Sequence, residues 1–400
     1  MSQNDADKIG VRSGKPRVLI YRDQLLPYSE TFIPAQTNSL SKYDAVYGGS
    51  SRLNQNLDGQ ETIIFDEISK FGRLWKGIYK VGGMIPPPWL AAVERYHPSL
   101  VHAHFGSDGG LVLPLCQRLR IPLVVTCHGY DATWQTPSWH TIRTRGDFFR
   151  ALLLHKRDLA LEKAHRIVAV SQFIRDQLLL RGAAAEKIVV HYIGIDRRRF
   201  SPKNLQRQPT VLFVGRLVEK KGVKYLIKAM ATVQRQLSSV GLIIIGDGPL
   251  QSQLQTLAKD LGVQAQFLGQ QSPDQVRHWM NRTQVFCVPS IVANSGDAEG
   301  FGMVFAEAQA MGLPVVSFAT GGIPEAVIHG ETGLLAPEKD TKQLVNFLLR
   351  LLKDADLRKT YGRAGQAHVA QNFNLHRNTH QLESLYDAVL HQFHTHRHPT

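Results

Sequence analysis

Glu299 and Glu307 are the acidic residues whose setting points to chemistry. Seven residues lie between them in GDAEGFGMVFAEAQAMGLPVVSF, where glycines, a helix-forming segment and an apolar run follow one another. An apolar strand from Val285 leads into a polar loop; Gly300, Phe301 and Gly302 then open the helix pattern MVFAEAQAM, which Gly312 and Pro314 end before a second buried strand. In open α/β sheets ligands sit at the carboxyl ends of strands. The glycines let backbone approach a ligand, and the N–H groups of Gly302, Met303 and Val304, at the positive end of the helix dipole, suit a phosphate. Glu307 falls about one turn into the helix and Glu299 in the loop before it. Two carboxylates so placed can hold hydroxyl groups on either side of a phosphate.

Cationic groups with matching chemistry lie upstream. In VLFVGRLVEKKGVKYLIKAM a strand ends at Gly215, and Arg216 and Lys221 occupy the crossover to the next helix. A guanidinium fork and an ammonium beside a strand tip are suited to neutralising a leaving diphosphate. LIIIGDGPL supplies another strand-to-helix turn, with Gly246 and Gly248 open to a nucleotide; Gln251 stands where a third glycine would complete a dinucleotide motif. Most of the 17 histidines must be structural, but His128, in VTCHGYDAT, falls at a strand's carboxyl end and is a candidate for the cleft. His102 and His104 alternate along one strand and share a face; with no third ligand in view they are expected to line a loop near Gly106.

These residues need sheets to hold them. Short apolar runs at 16–23, 98–105, 122–129, 165–171 and 187–196, separated by helical stretches, predict a parallel sheet with helices on both faces. The polar, proline-containing segment 196–209 reads as a linker, and further strand–helix alternation fills 210–375. The expected organisation is a disordered tail over 1–16, a first α/β domain over 17–195, a second over 210–375, and a closing helix at about 376–394. With 400 residues and 43% hydrophobic content the chain can build two cores.

Cys116, Cys127 and Cys287 lie in apolar surroundings without a CxxC pair and read as free thiols of a reducing compartment. The polar amino terminus lacks the apolar core of a signal peptide and no run is long enough to span a bilayer, so a cytoplasmic enzyme is expected. A net charge of +14 favours anionic partners without choosing among nucleotides, nucleic acid and acidic lipid. The stretches 70–90 and 143–166 mix basic residues with aromatic or apolar ones, as a peripheral contact with anionic membrane at the inner face of the plasma membrane requires; a surface helix with a solvated basic face is the other reading.

The motif EGFG...FAEAQAMGLPVV, followed by GGIPEAV...GETGLL, resembles the donor-site signature of the retaining glycosyltransferases of family 4. The resemblance implies the GT-B fold: two Rossmann-like α/β domains facing each other across a cleft, with the C-terminal helix crossing back to the first. It gives Glu299 the transferred sugar, Glu307 the ribose, Arg216 and Lys221 the diphosphate, and His128 the sugar again. Gly321, Gly322 and Glu325 are expected to line the cleft behind the sugar. The donor is then a nucleoside-diphosphate sugar, with no separate cofactor, and the acceptor a saccharide or polyprenyl-linked saccharide; no nucleic acid is expected as partner.

Where many members carry a Gly-Gly loop this chain has Ser29, Glu30 and Thr31, and SETFI resembles a subgroup of exopolysaccharide and colanic-acid type. Here Ser29 or Thr31 caps the following helix, contacts the acceptor, or does both. The Asp-x-Asp triplets at Asp5 and Asp354 follow no strand tip, so a metal-independent transferase is expected. A nucleotide-sugar epimerase or hydrolase of the same architecture is the alternative, and a nucleic-acid-binding protein a more distant one.

Overall fold

The computed structural model of the protein describes residues 14–25, 30–53, 60–68, 72–134, 143–203 and 205–395, without the side chains of 72–74. Ser29, Asp5, Asp7 and most of the expected tail lie outside these residues. The chain forms two compact units, one of residues 1–126, 136–168 and 379–400, the other of 127–135 and 169–378.

The first sheet has the order Thr62–Ile64, Asp44–Gly49, Arg17–Tyr21, Pro98–His104, Leu123–Cys127, Arg166–Ala169, Ile188–Val190. Its inner strands are near-continuous apolar runs, as strands covered on both faces must be. Asp44–Gly49 and Thr62–Ile64 carry too weak a pattern to stand out in the sequence. Val18, Ile20, Tyr47, Leu100 and Val124 share a core with Leu382, Tyr386 and Val389 of the last helix, Leu375–Thr395. From Thr379 that helix belongs to the first unit, as expected of it. Its Glu383 accepts from the N–H groups of Ser41 and Lys42, both at 2.6 Å.

His102 is a core residue and neither a ligand nor a loop-lining group. It is 1% exposed, its Nδ1 is 2.6 Å from Tyr386 Oη, and its Nε2 is 2.6 Å from Thr126 Oγ1. His104 is buried too and stacks on it, with ring centroids 4.6 Å apart. In the stretch 70–90 Val81 and Met84 are exposed, while other members are engaged in the fold. Tyr79 and Trp89 are buried in an aromatic cluster with Tyr21 and Phe65, and Lys76 and Lys80 pair with Asp66 and Asp23. The helix Arg145–Lys163 does expose Phe148, Phe149 and Leu159.

The second sheet is wholly parallel, in the order Ala265–Phe267, Gly241–Ile245, Gln208–Val214, Thr283–Cys287, Val315–Phe318, Gly333–Ala336. The chain moves outward from Gln208–Val214, then returns to its other side with Thr283–Cys287. The direction of winding therefore reverses between these two strands, and the loops that follow them diverge there to leave a crevice. Residues 215–222 and 288–302 are those loops. The residue just before the expected linker is paired into this unit: the Ile195 N–H donates to Phe373 O (2.7 Å) and the Leu375 N–H to Ile195 O (3.3 Å). The three cysteines are buried free thiols.

Candidate active site

The loop after Thr283–Cys287 delivers its residues to the helix Met303–Ala310 through Gly302, whose φ is +80°. A Cβ at Gly302 would lie 2.4 Å from the Phe305 ring, so only glycine fits. Gly302 has no side chain with which to cap the helix. Among the described residues the N–H groups of Gly302, Met303 and Val304 find no acceptor, and they remain as a set of donors at the positive end of the dipole.

Glu299 lies in that loop and is 8% exposed. The Lys221 ammonium reaches it from the other crossover, Nζ to Oε2 at 2.6 Å, and the Ser290 hydroxyl lies 3.4 Å from the same oxygen. One turn away Lys220 pairs with Asp297 at 3.0 Å. Burial works against the charged form of Glu299, but the positive charges of Lys221 and Lys220 prevail and hold its carboxyl down at about 2. The two loops are fitted closely: Gly222 has φ +64°, and a Cβ there would fall 1.8 Å from Pro289 O. Arg216 is exposed, and among the described residues its guanidinium makes no hydrogen bond or ion pair.

His128, half-buried, joins the same unit through its backbone. Asp131 accepts from the N–H groups of His128 (3.0 Å) and Gly129 (2.8 Å) and fixes that turn. A Cβ on Gly300 would fall 1.9 Å from His128 O, so the glycine beside Glu299 is what lets the two turns touch. The Ser171 hydroxyl donates to Gly300 O (2.6 Å) and the Gly322 N–H to Glu299 O (2.9 Å). The backbone at Glu299 and Gly300 thereby meets the histidine turn, while Lys221 holds the carboxylate.

Residues 195–368 match the profile of glycosyl transferases group 1, and residues 54–199 that of glycosyltransferase family 4. Over 358 residues, 86% of this chain and 83% of the relative, the sequence is 34% identical to the amylovoran biosynthesis glycosyltransferase AmsK of Erwinia amylovora. The chain belongs to the family 4 glycosyltransferases. WcaL of Salmonella typhimurium, named for colanic acid biosynthesis, is 29% identical over 72% of this transferase and 70% of its own length. Among solved structures, Anabaena HepE in complex with UDP-glucose superposes with a TM-score of 0.73 at 21% identity, covering 93% of the transferase and 99% of HepE. That likeness is one of fold, GT-B, with a parallel sheet in each of two domains. With relatives named as transferases, the epimerase or hydrolase alternative falls away.

Elsewhere in the transferase, Glu307 is held differently from Glu299. Burial pushes its carboxyl up to about 7, against the pull of Arg199 and Arg277. The two carboxylates are thus opposite in character: one is charged at every ordinary pH, the other poised near neutrality.

Glu325, expected behind the sugar, is engaged by protein groups. Its carboxylate accepts from the N–H groups of Gln172 (2.6 Å) and Phe173 (2.8 Å) and from the Tyr192 hydroxyl (2.8 Å). It therefore closes the start of the helix Gln172–Leu180. Gly321 and Gly322 serve backbone contact, since Cβ atoms there would fall 2.3 Å from Glu299 O and 2.0 Å from Gly300 O. Gly246 and Gly248 likewise press on the Gly215–Leu217 turn, with Cβ positions 2.0 Å from Gly215 O and 2.6 Å from Leu217 O. The Gly246 N–H already donates to Gly269 O (2.8 Å). Thr31 makes no side-chain cap. Asp354 caps the helix Ala355–Asn372 through the Leu357 N–H at 2.9 Å. Sequence reasoning missed Ser171 and Ser290, neither of which carries a spacing signal.

Proposed function

We propose that this transferase moves a hexose from a nucleoside-diphosphate sugar, with retention of configuration, onto a saccharide or polyprenyl-linked saccharide in the assembly of a cell-surface or extracellular polysaccharide. The contact between Lys221 and Glu299, contributed by the two loops that flank the reversal of the second sheet, carries the reading. It supplies a fixed cation and a fixed carboxylate beside helix N–H groups that await an anion. AmsK, named for amylovoran biosynthesis, and HepE, solved with UDP-glucose, support the polymer class and the donor class.

In this reading Arg216, Lys221 and the N–H groups of Gly302 to Val304 take up charge on the diphosphate as the bond from C1 to its oxygen breaks. Glu299 and His128 orient the sugar, and Glu307 accepts hydrogen bonds from ribose hydroxyls. The acceptor oxygen bonds to C1 on the face that the nucleoside diphosphate leaves, and its proton passes to the departing phosphate oxygen. Gly215, Gly246, Gly248 and Phe301 shape the walls of the site. The acceptor domain is taken as 17–195 with the last helix, and the donor domain as 210–375.

Thermal unfolding in the presence of UDP-, GDP- and ADP-sugars tests the donor. One nucleotide class raises the unfolding temperature in a saturable way, and indifference to all three discards the reading. Turnover is expected to survive EDTA, and loss restored by a divalent ion refutes metal independence. Phe148, Phe149 and Leu159, set among basic residues, are the groups through which the enzyme would rest on anionic lipid. Co-sedimentation with anionic but not neutral vesicles checks this.

A further inference from the structure

The amino edge of the second sheet, at the opposite end of its strands from Glu299, carries a cavity of about 260 Å³ lined by Arg207, Gln284, Pro314, Arg358 and Lys359 among others. We propose that this cavity binds a phosphoryl dianion, free or carried on a small sugar, at a site separate from the donor site.

Arg207 directly precedes the strand Gln208–Val214, and its guanidinium donates to Thr283 O (3.2 Å) and Met311 O (2.6 Å). Arg358, in the first turn of Ala355–Asn372, donates from one nitrogen to Leu351 O (2.6 Å) and Leu352 O (2.8 Å). Among the described residues neither guanidinium has a carboxylate within salt-bridge distance. Burial and then the charge of Arg358 lower the Arg207 guanidinium to about 10. Burial lowers Arg358 as well, with Asp354 opposing. Lys359 adds a third cation, 3.5 Å from Asp356 with both side chains exposed.

Holding helix carbonyls accounts for part of this arrangement, because cations favour helix carboxyl ends. It leaves donors over: each guanidinium has five N–H groups, and these carbonyl contacts use only some of them. Two half-buried guanidinium groups that repel one another across a hollow are relieved by an anion that both can grip, and a phosphate suits their planar forks. The cavity is smaller than the roughly 300–1,000 Å³ of clefts for drug-sized ligands. It has room for phosphate or a hexose phosphate and not for a nucleoside-diphosphate sugar.

The test titrates the full chain with inorganic phosphate and, separately, with glucose 6-phosphate at constant ionic strength, by calorimetry and thermal unfolding, with and without UDP or GDP. Saturable binding that persists beside the nucleotide is expected. Arg358→Gln should weaken it about tenfold or more, and Lys359→Ala about threefold with the ligand-free unfolding temperature unchanged. Tighter binding of the sugar phosphate than of phosphate assigns the site to the former, and equal binding to the latter. Absence of saturable binding to the wild-type chain, or binding equally strong in both variants, overturns the proposal.

Discussion

The two sheets reverse direction at corresponding places, and each has an ion pair linking the segments that follow the two strands of the reversal. In the first, Arg22 follows Arg17–Tyr21, and Asp108 lies just beyond Pro98–His104; they meet at 2.7 Å. In the second, Lys221 meets Glu299 at 2.6 Å. The difference is in what remains for a ligand. Arg22 also grips both oxygens of Glu30 at 2.9 Å and lies 4.4 Å from the centroid of the Phe105 ring, while Asp108 accepts from the Asp23 N–H. Every strong group there is engaged with the protein, and the network acts as a lock. Lys221 is a compact ammonium with one carboxylate, and among the described residues Arg216 and the N–H groups of Gly302 to Val304 have no partner. On the proposed function, the same topological position becomes a closure in one unit and a receptor in the other, according to whether the cation's hydrogen bonds are used up.

The largest effect that would test this contrast is at the lock. Arg22→Met leaves Glu30 and Asp108 buried without their cation, and urea unfolding should show a loss of about 3–5 kcal/mol with kcat per folded molecule unchanged. A variant of full stability and collapsed kcat would erase the distinction. At the receptor, Glu299→Ala should lower kcat about 10²–10³-fold while calorimetry finds nucleoside diphosphate affinity preserved. Equal loss of affinity in Glu299→Ala and Glu307→Ala would contradict the division between sugar and ribose. Gly300→Ala, which sets a methyl group against His128 O, should cost about 1–3 kcal/mol of stability and lower kcat, with nucleotide binding less affected.

The smallest effect is a pH dependence. Glu307 rises to about 7 through burial, so its neutral form is favoured in the ligand-free fold. Its contribution to stability is present below the ordinary glutamate range and is lost as pH rises through about 7. Affinity runs the other way, because the carboxylate is the form that accepts from ribose. Nucleotide Kd should fall by up to about tenfold per unit as pH climbs toward 7, level off above it, and lose this dependence in Glu307→Gln. A flat profile in the wild type removes Glu307 from the ribose.

What could be read from the sequence divides along the same physical line. Glu299, Lys221 and the glycines around them are local: a strand tip, a turn and a helix start impose spacings visible in one dimension. Gly222, Gly300 and Gly322 were visible as glycines but not as the contacts they permit, since Pro289, His128 and Gly300 come from elsewhere in the chain. The contact of Glu325 with the start of a distant helix was not legible, because nothing in its motif points to Gln172 or Phe173. His102 and Trp89 misled because polarity and aromaticity suggest exposure, whereas Tyr386 and Thr126 satisfy the one and a ring cluster absorbs the other. Arg207 and Arg358, about 150 residues apart, share no pattern that a linear reading could detect.

The interior that Val18, Ile20 and Tyr47 begin is completed by Leu382, Tyr386 and Val389, with the whole span 169–378 between them. During synthesis the first unit must therefore wait with a gap in its hydrophobic centre while the second is made and able to fold. The part that begins first on the ribosome finishes last.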